Sequence, residues 1–143
     1  MKQYRVSSAP EEISISVVHQ FLTDSYWAKS IPLKTLQKAI DNSLCFSVIA
    51  ESSEQKELVG FARMITDKAT FAYLADVFVL DSHRGNGLSK LLMKSILQHP
   101  DLQGLRRMVL ATKDAHGLYQ QFGFKKLASP DTFMELWDPN VYQ

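Results

Sequence analysis

The sequence predicts a mixed α/β fold: a mostly antiparallel central sheet of about seven strands with flanking helices, in the order β-α-α-β-β-β-α-β-α-β-β. Three observations predict it. Apolar residues recur at helical spacing in two early stretches and again after residue 87. Between these stretches lie three strand-like runs joined by polar turns, the pattern of an antiparallel meander. After residue 107, short strand-like and helix-like runs alternate to the end of the chain.

Residues 4–7 read as a short first strand. Pro10-Glu11-Glu12 opens a helix, with acidic side chains near the positive end of its dipole, and Ile15, Val18, His19 and Leu22 continue it at helical spacing. The pattern breaks at Asp24-Ser25-Tyr26-Trp27. Pro32 then leads a second amphipathic helix through Leu33, Leu36 and Ile40, ending near Asn42. Residues 44–50, 58–65 and 71–80 are the meander strands, with Asp67-Lys68 as the second connection. A helix from about Gly85 to Gln98 places Leu88, Leu91, Leu92 and Ile96 on one face, and Pro100 ends it. Residues 108–111 read as a buried strand. Asp114 is placed to cap a short helix through Ala115 and Tyr119 that Gly123 stops. Residues 124–127 and 132–137 complete the strand count.

The length of 143 residues suits one compact domain, so residues 1–143 are read as a single one. A formal net charge of +1 argues against a general nucleic-acid or membrane-surface binder. No stretch approaches the roughly 18 apolar residues of a membrane span, and the first residues lack the apolar core of a signal peptide. The expectation is a cytoplasmic protein with neither nucleic acid nor membrane as partner. The lone cysteine, Cys45, excludes an intrachain disulfide. It lies in an apolar strand without an adjacent base and reads as a core residue.

The most informative segment is Arg84-Gly85-Asn86-Gly87-Leu88-Ser89, between the apolar strand through Val77-Phe78-Val79 and an amphipathic helix. Two glycines permit unusual φ angles and close ligand approach. The first N–H groups of the following helix have no partner within it. Such a turn can cradle a pyrophosphate, with Arg84 and Lys90 adding charge; it can also be a plain glycine-rich turn. It matches neither the P-loop nor the dinucleotide fingerprint, which would need a third glycine at Lys90.

The same stretch resembles the acetyl-coenzyme A signature of the GNAT superfamily of N-acetyltransferases, Arg/Gln-x-x-Gly-x-Gly/Ala. Arg84 and Gly87 match, and Ser89 replaces the last small residue with another. Downstream, Ala115, Leu118, Tyr119, Gly123 and Phe124 match the family's Ala-x-x-Leu-Tyr-x-x-x-Gly-Phe segment, and Thr112 stands where many members have Asn. The resemblance covers nearly the whole chain. It implies a GNAT-like fold and acetyl-coenzyme A as co-substrate, held by Val77, Phe78, Val79, residues 84–89, Thr112 and Tyr119. It also implies acetyl transfer to a primary amine of a small molecule or peptide, by direct attack in a ternary complex. A backbone N–H near Phe78 or Val79 would polarise the thioester carbonyl.

Tyr119 is then the candidate proton donor to the departing thiolate. Asp76, an acid within an apolar strand, is a candidate base, because burial would raise its pKa; it reads equally as a structural carboxylate held by Arg63 or a backbone amide. His116 shares a helix face with Tyr119 and is a base or an exposed side chain; His83 reads as packing. Tyr26 and Trp27 are candidates for the amine site, with helix packing as the alternative. His19 and His99 lack metal-ligand spacing, and no metal is expected. The aromatic C-terminal stretch leaves surface for a homodimer. A coenzyme A-binding module without turnover is the competing function.

Overall fold

The computed structural model describes residues 2–143, which form two compact units: a larger one through Ala111 and a smaller one from Thr112 to Gln143. In the larger unit five strands form one sheet: β1 (Gln3–Ser7), β2 (Leu44–Glu51), β3 (Lys56–Thr66), β4 (Phe71–Val79) and β5 (Arg107–Leu110). Their spatial order is their chain order. β1 to β4 run antiparallel, and β5 lies parallel to β4. Helices α1 (Ile15–Thr23) and α2 (Leu33–Asp41) separate β1 from β2, and α3 (Leu88–Gln98) makes the crossover that a parallel pair requires.

Six consecutive β2 residues, Cys45 to Ala50, are buried. Successive strand side chains point to opposite faces, so the sheet is covered on both. α3 packs against β1 through β4 with Leu88, Leu92, Met93 and Ile96 inward. Val18 and Leu22 of α1 and Leu36 and Ile40 of α2 are also buried. Phe46 and Phe61 anchor the centre, each about 1.5–3 kcal/mol better buried than exposed.

The hairpin from β3 to β4 is held by Asp67, whose carboxylate accepts from the N–H groups of Ala69, Thr70 and Phe71 and from the Thr70 hydroxyl. Those donors favour the ionised form and hold its pKa well below the usual carboxylate range. The first helix starts later than the acidic turn suggests. Pro10–Glu12 is a single 3-10 turn, and Glu12 bonds instead to Arg5 and Ser7 on β1. These bonds bring the Glu12 carboxyl down to about 2.

The smaller unit holds α4 (His116–Gln120) and a 3-10 turn at Pro130–Thr132. Here the sequence expectations need two corrections. Asp114 does not cap α4; Thr112 Oγ1 accepts from the Ala115 N–H at 3.1 Å instead. Residues 124–127 and 132–137 are not strands, so the described residues hold five strands, not about seven. A strand exists through its ladder, and these segments pair with none. Pro130 also interrupts the run, and Met134 and Leu136 are fully exposed.

Gly60 gives a direct test of core tightness. A Cβ there would lie 2.9 Å from Val48 Cγ2 and 3.1 Å from the Phe78 carbonyl oxygen. Val48 is wholly buried and cannot swing away. Gly60→Ala is expected to destabilise the chain by about 1–3 kcal/mol, measured by urea unfolding.

Candidate active site

β4 carries the feature from which the site is built. Its parallel ladder with β5 runs only from Phe71–Arg107 to Leu74–Leu110, and β5 stops there. β4 continues to Val79 without that neighbour. Opposite β3 the register shifts by one residue between Phe61–Phe78 and Arg63–Ala75, so Asp76 and Val77 both face Ala62. This is a β-bulge, and Asp76 takes the left-handed conformation at φ 58°. Beyond the bulge, Leu80 donates to the Val59 carbonyl at 2.8 Å. Antiparallel ladders alternate, so the polar groups of Phe78 also face β3. Those of Val79 face the edge that β5 has left. Between Phe78 and Val79, geometry selects the Val79 N–H as the donor aimed at the open edge.

The strand runs through a 3-10 turn, Asp81–His83, into the glycine segment. Gly85 and Gly87 both have positive φ, 84° and 69°, and a Cβ on either would meet open space. Gly87 is the N-cap of α3, so the helix starts at Leu88, three residues after the Gly85 start that the sequence pattern places. The first bond of the helix is Leu91 N–H to the Gly87 carbonyl at 3.1 Å. The N–H groups of Leu88, Ser89 and Lys90 therefore precede the ladder and converge at the positive end of the dipole. Arg84 is exposed and pairs with Asp81 at 3.1 Å.

A polar network pins this turn to the start of the chain. The Tyr4 hydroxyl and His83 Nδ1 share a hydrogen bond of 3.0 Å, and the rings meet edge to face. Asn86 Nδ2 donates to the His83 carbonyl at 2.9 Å and to the Tyr4 hydroxyl at 3.5 Å. His83 Nε2 lies 3.6 Å from Glu57 Oε1. His83 is buried as expected, but it is a bonded junction rather than plain packing. Tyr4 was invisible as a site-supporting residue, because its partners lie about 80 residues away.

Asp76 is buried and both its oxygens are engaged. Arg63 Nε donates to Oδ2 at 2.7 Å, and Trp27 Nε1 donates to Oδ1 at 3.0 Å. Arg63 also reaches Ser43 Oγ at 3.2 Å. Each oxygen keeps a lone pair beyond these bonds, but the carboxylate is already shared between a guanidinium and an indole N–H. Trp27 and Tyr26 lie in the α1–α2 connection, edge to face at 5.1 Å. Phe21 of α1, which sequence reasoning passed over, stacks on Phe78 at 4.1 Å and lies 6.4 Å from Trp27. Its helical phase marked it as flanking the buried stripe, but not which strand it would meet. Tyr26, Trp27, Asp76 and the 77–79 strand thus come together.

In the smaller unit, Tyr119 lies on α4 and is buried. The Phe124 N–H bonds to its carbonyl at 3.2 Å, and the Gly123 N–H bonds to the Gln120 carbonyl at 3.1 Å, with Gly123 at φ 92°. This is a Schellman cap, and its characteristic apolar contact is the edge-to-face pair of Tyr119 and Phe124 at 5.9 Å. The spacing Tyr-x-x-x-Gly-Phe is therefore a helix stop that fixes the phenol ring. His116 is exposed at the start of α4. His19 bonds to the Ile31 carbonyl and His99 to the Asp101 N–H, both structural contacts. Among the described residues no group of His, Cys, Asp and Glu could hold a metal, and no helix is long and apolar enough to cross a membrane.

The sheet thus opens at one edge and leads straight into a glycine turn and a helix start. The model of the acetyltransferase (GNAT) domain matches residues 8–136. A Gibberella zeae protein named as an acetyltransferase is 32% identical over 135 residues, covering 81% of this chain and 75% of that one. Human N-acetyltransferase 8B is 32% identical over 82% of this chain, which spans 57% of its length. The crystal structure of a GNAT-family acetyltransferase from Xanthomonas campestris pv. campestris superposes with a TM-score of 0.90 at 50% identity, covering 98% of this chain and 96% of that one. The chain belongs to the GNAT acetyltransferase family. A fold neighbour from Clostridium acetobutylicum, 18% identical with a TM-score of 0.61 and covering 95% of this chain and 96% of that one, is described with acetyl-CoA.

Cys45 is buried, and burial pushes its thiol from 9.0 up to about 12. The thiol lies 3.9 Å from the Ile40 carbonyl oxygen. Native protein at pH 8 should resist alkylation by iodoacetamide, followed by mass spectrometry, until denaturant is added. The folded state holds the thiol proton more tightly than the unfolded state. This contribution is complete below pH 9 and is lost as pH rises towards 12.

Proposed function

We propose that the chain transfers the acetyl group of acetyl-coenzyme A to a primary amine of a small molecule or peptide by direct attack in a ternary complex. The observation that carries this reading is the continuity of the open β4 edge, residues 75–79, with the glycine turn at 84–89. The first would pair with pantetheine along Val77, Phe78 and Val79. The second would bind the pyrophosphate through the N–H groups around Gly85, Asn86, Gly87, Leu88 and Ser89, with Arg84 adding charge. The family match across residues 8–136 supports reading 1–143 as one N-acetyltransferase domain.

The amine nitrogen attacks the thioester carbon, and the Val79 N–H stabilises the oxygen as it gains charge. Collapse breaks the carbon–sulfur bond. The ammonium proton leaves to a base or to water, and the thiolate takes a proton from Tyr119. Thr112 is assigned to the coenzyme side through the family pattern. Asp76 stands as a base candidate; its bonds to Arg63 and Trp27 support instead a holding role, developed below. Cys45 plays no part. We place the enzyme in the cytoplasm. The exposed Met134, Leu136 and Trp137 support a homodimer, to be measured by sedimentation.

Thiol release from acetyl-coenzyme A over a panel of amines tests the reading; binding without turnover on any amine would overturn it. Acetyl-coenzyme A at about 100 times its Kd should stabilise the native chain by ~2.7 kcal/mol in thermal melts. Gly87→Val should abolish that gain, because a β-branched residue at φ 69° both strains the turn and fills the space a phosphate would use. Unchanged affinity in a folded variant would sink the cradle. Tyr119→Phe should leave coenzyme binding intact and lower kcat about 10²-fold. Equal turnover across the pH range would remove Tyr119 as the proton donor.

A further inference from the structure

We propose that Asp76 is a positioning residue that holds Trp27 against the donor strand, and that the ring cluster so formed selects a primary amine with an aromatic body. The proposal rests on the transferase reading above and deepens it to a substrate class.

Asp76 sits at 7% exposure in the β4 bulge, one residue before the strand segment assigned to pantetheine. Its two bonded donors are a guanidinium and an indole N–H. Neither group gives up its proton at neutral pH, and the Arg63 charge matches the carboxylate. The carboxylate therefore offers little net charge to an incoming ammonium. What it does is fix a ring. The indole N–H is the single polar handle of Trp27, and its bond to Asp76 sets one edge of the ring into the protein. The connection carrying Trp27 is shaped independently: Ser25 Oγ donates to the Leu22 carbonyl at 2.7 Å and accepts from the Ala28 N–H at 3.1 Å.

With that edge anchored, Trp27 remains 42% exposed and Tyr26 57%. Trp27 stands beside the Phe21–Phe78 stack and Tyr26 beside Trp27, and Phe78 is flanked in the chain by the Val77 and Val79 backbone assigned to the thioester. Ring faces and edges favour another aromatic ring in offset or edge-to-face contact. A polyamine would instead need several uncommitted carboxylates. This connection offers Asp24 besides the neutralised Asp76. The chemistry thus favours 2-phenylethylamine-like acceptors over aliphatic polycations.

The test compares 2-phenylethylamine, n-butylamine and spermidine in steady-state thiol release. It is joined to Trp27 fluorescence in a Trp137→Phe background, which removes the second tryptophan of the chain. The intact protein should show kcat/KM for 2-phenylethylamine about 10-fold or more above the other two amines, and 2-phenylethylamine should quench Trp27. Asp76→Asn and Trp27→Phe should each raise its KM about 10-fold with kcat within about 2-fold, and the double variant should be no worse than either single one. Trp27→Phe leaves the Arg63–Asp76 ion pair intact, so it decides the matter if Asp76→Asn folds poorly. Loss of kcat on every amine in Asp76→Asn, with the pH profile losing its acidic limb, would make Asp76 a base and overturn the proposal. Equal turnover of spermidine, or no quenching, would also overturn it. Quenching by 2-phenylethylamine without turnover of any amine would keep the ring site and overturn the transferase reading instead.

Discussion

The site depends on the parting of two strands. β4 and β5 share four paired positions and then separate, while β4 stays bonded to β3 for the rest of its length. A strand edge that loses its neighbour leaves peptide groups without a ladder partner, and these can pair with water or with another extended chain. An extended ligand with amide groups can take that place. Under the proposed reading that edge is where the co-substrate would pair, and the strand leads directly into the glycine turn.

The bulge at Asp76 lies two residues past the last β4–β5 pair and carries its own cost. A non-glycine residue in the left-handed region is disfavoured by about 1–2 kcal/mol, and Asp is among the residues that tolerate it best. Against this stand two hydrogen bonds to a buried carboxylate. Bonds to charged groups contribute about 1.5–3 kcal/mol each when the geometry is good, enough to offset the strain. The same two bonds join three elements: β3 through Arg63, β4 through Asp76 and the α1–α2 connection through Trp27. One local irregularity therefore ties the donor strand to the segment proposed for the acceptor.

The glycine turn and the Tyr119 helix share a logic of termini. At Gly87 the left-handed residue starts α3 and leaves donors facing outward. At Gly123 a left-handed residue ends α4 and folds Phe124 back onto Tyr119. Both are consequences of glycine's missing Cβ, and both were legible as spacings. The turn's attachment to Tyr4 and His83 was not, because a hydroxyl–imidazole bond leaves no periodicity in either strand or turn.

The sequence by itself determined the order of the elements through residue 123, the meander, the glycine turn and the helix stop at Gly123, but not where α1 and α3 begin. Each depends on neighbours within a few residues, through side-chain period, backbone freedom or a missing N–H. It misplaced what depends on pairing. Residues 132–137 have the composition of a strand but no ladder, and Asp114 does not cap α4, whose N-cap Ala115 donates its N–H to Thr112. The sequence offered Arg63 as a holder of Asp76, and that bond is present. Only the tertiary structure decided that β5 stops at Leu110, that β4 bulges at Asp76, and that Trp27, 49 positions away, takes the second carboxylate oxygen. Those outcomes rest on contacts between segments far apart in the chain, which a linear pattern of apolar and polar residues does not encode.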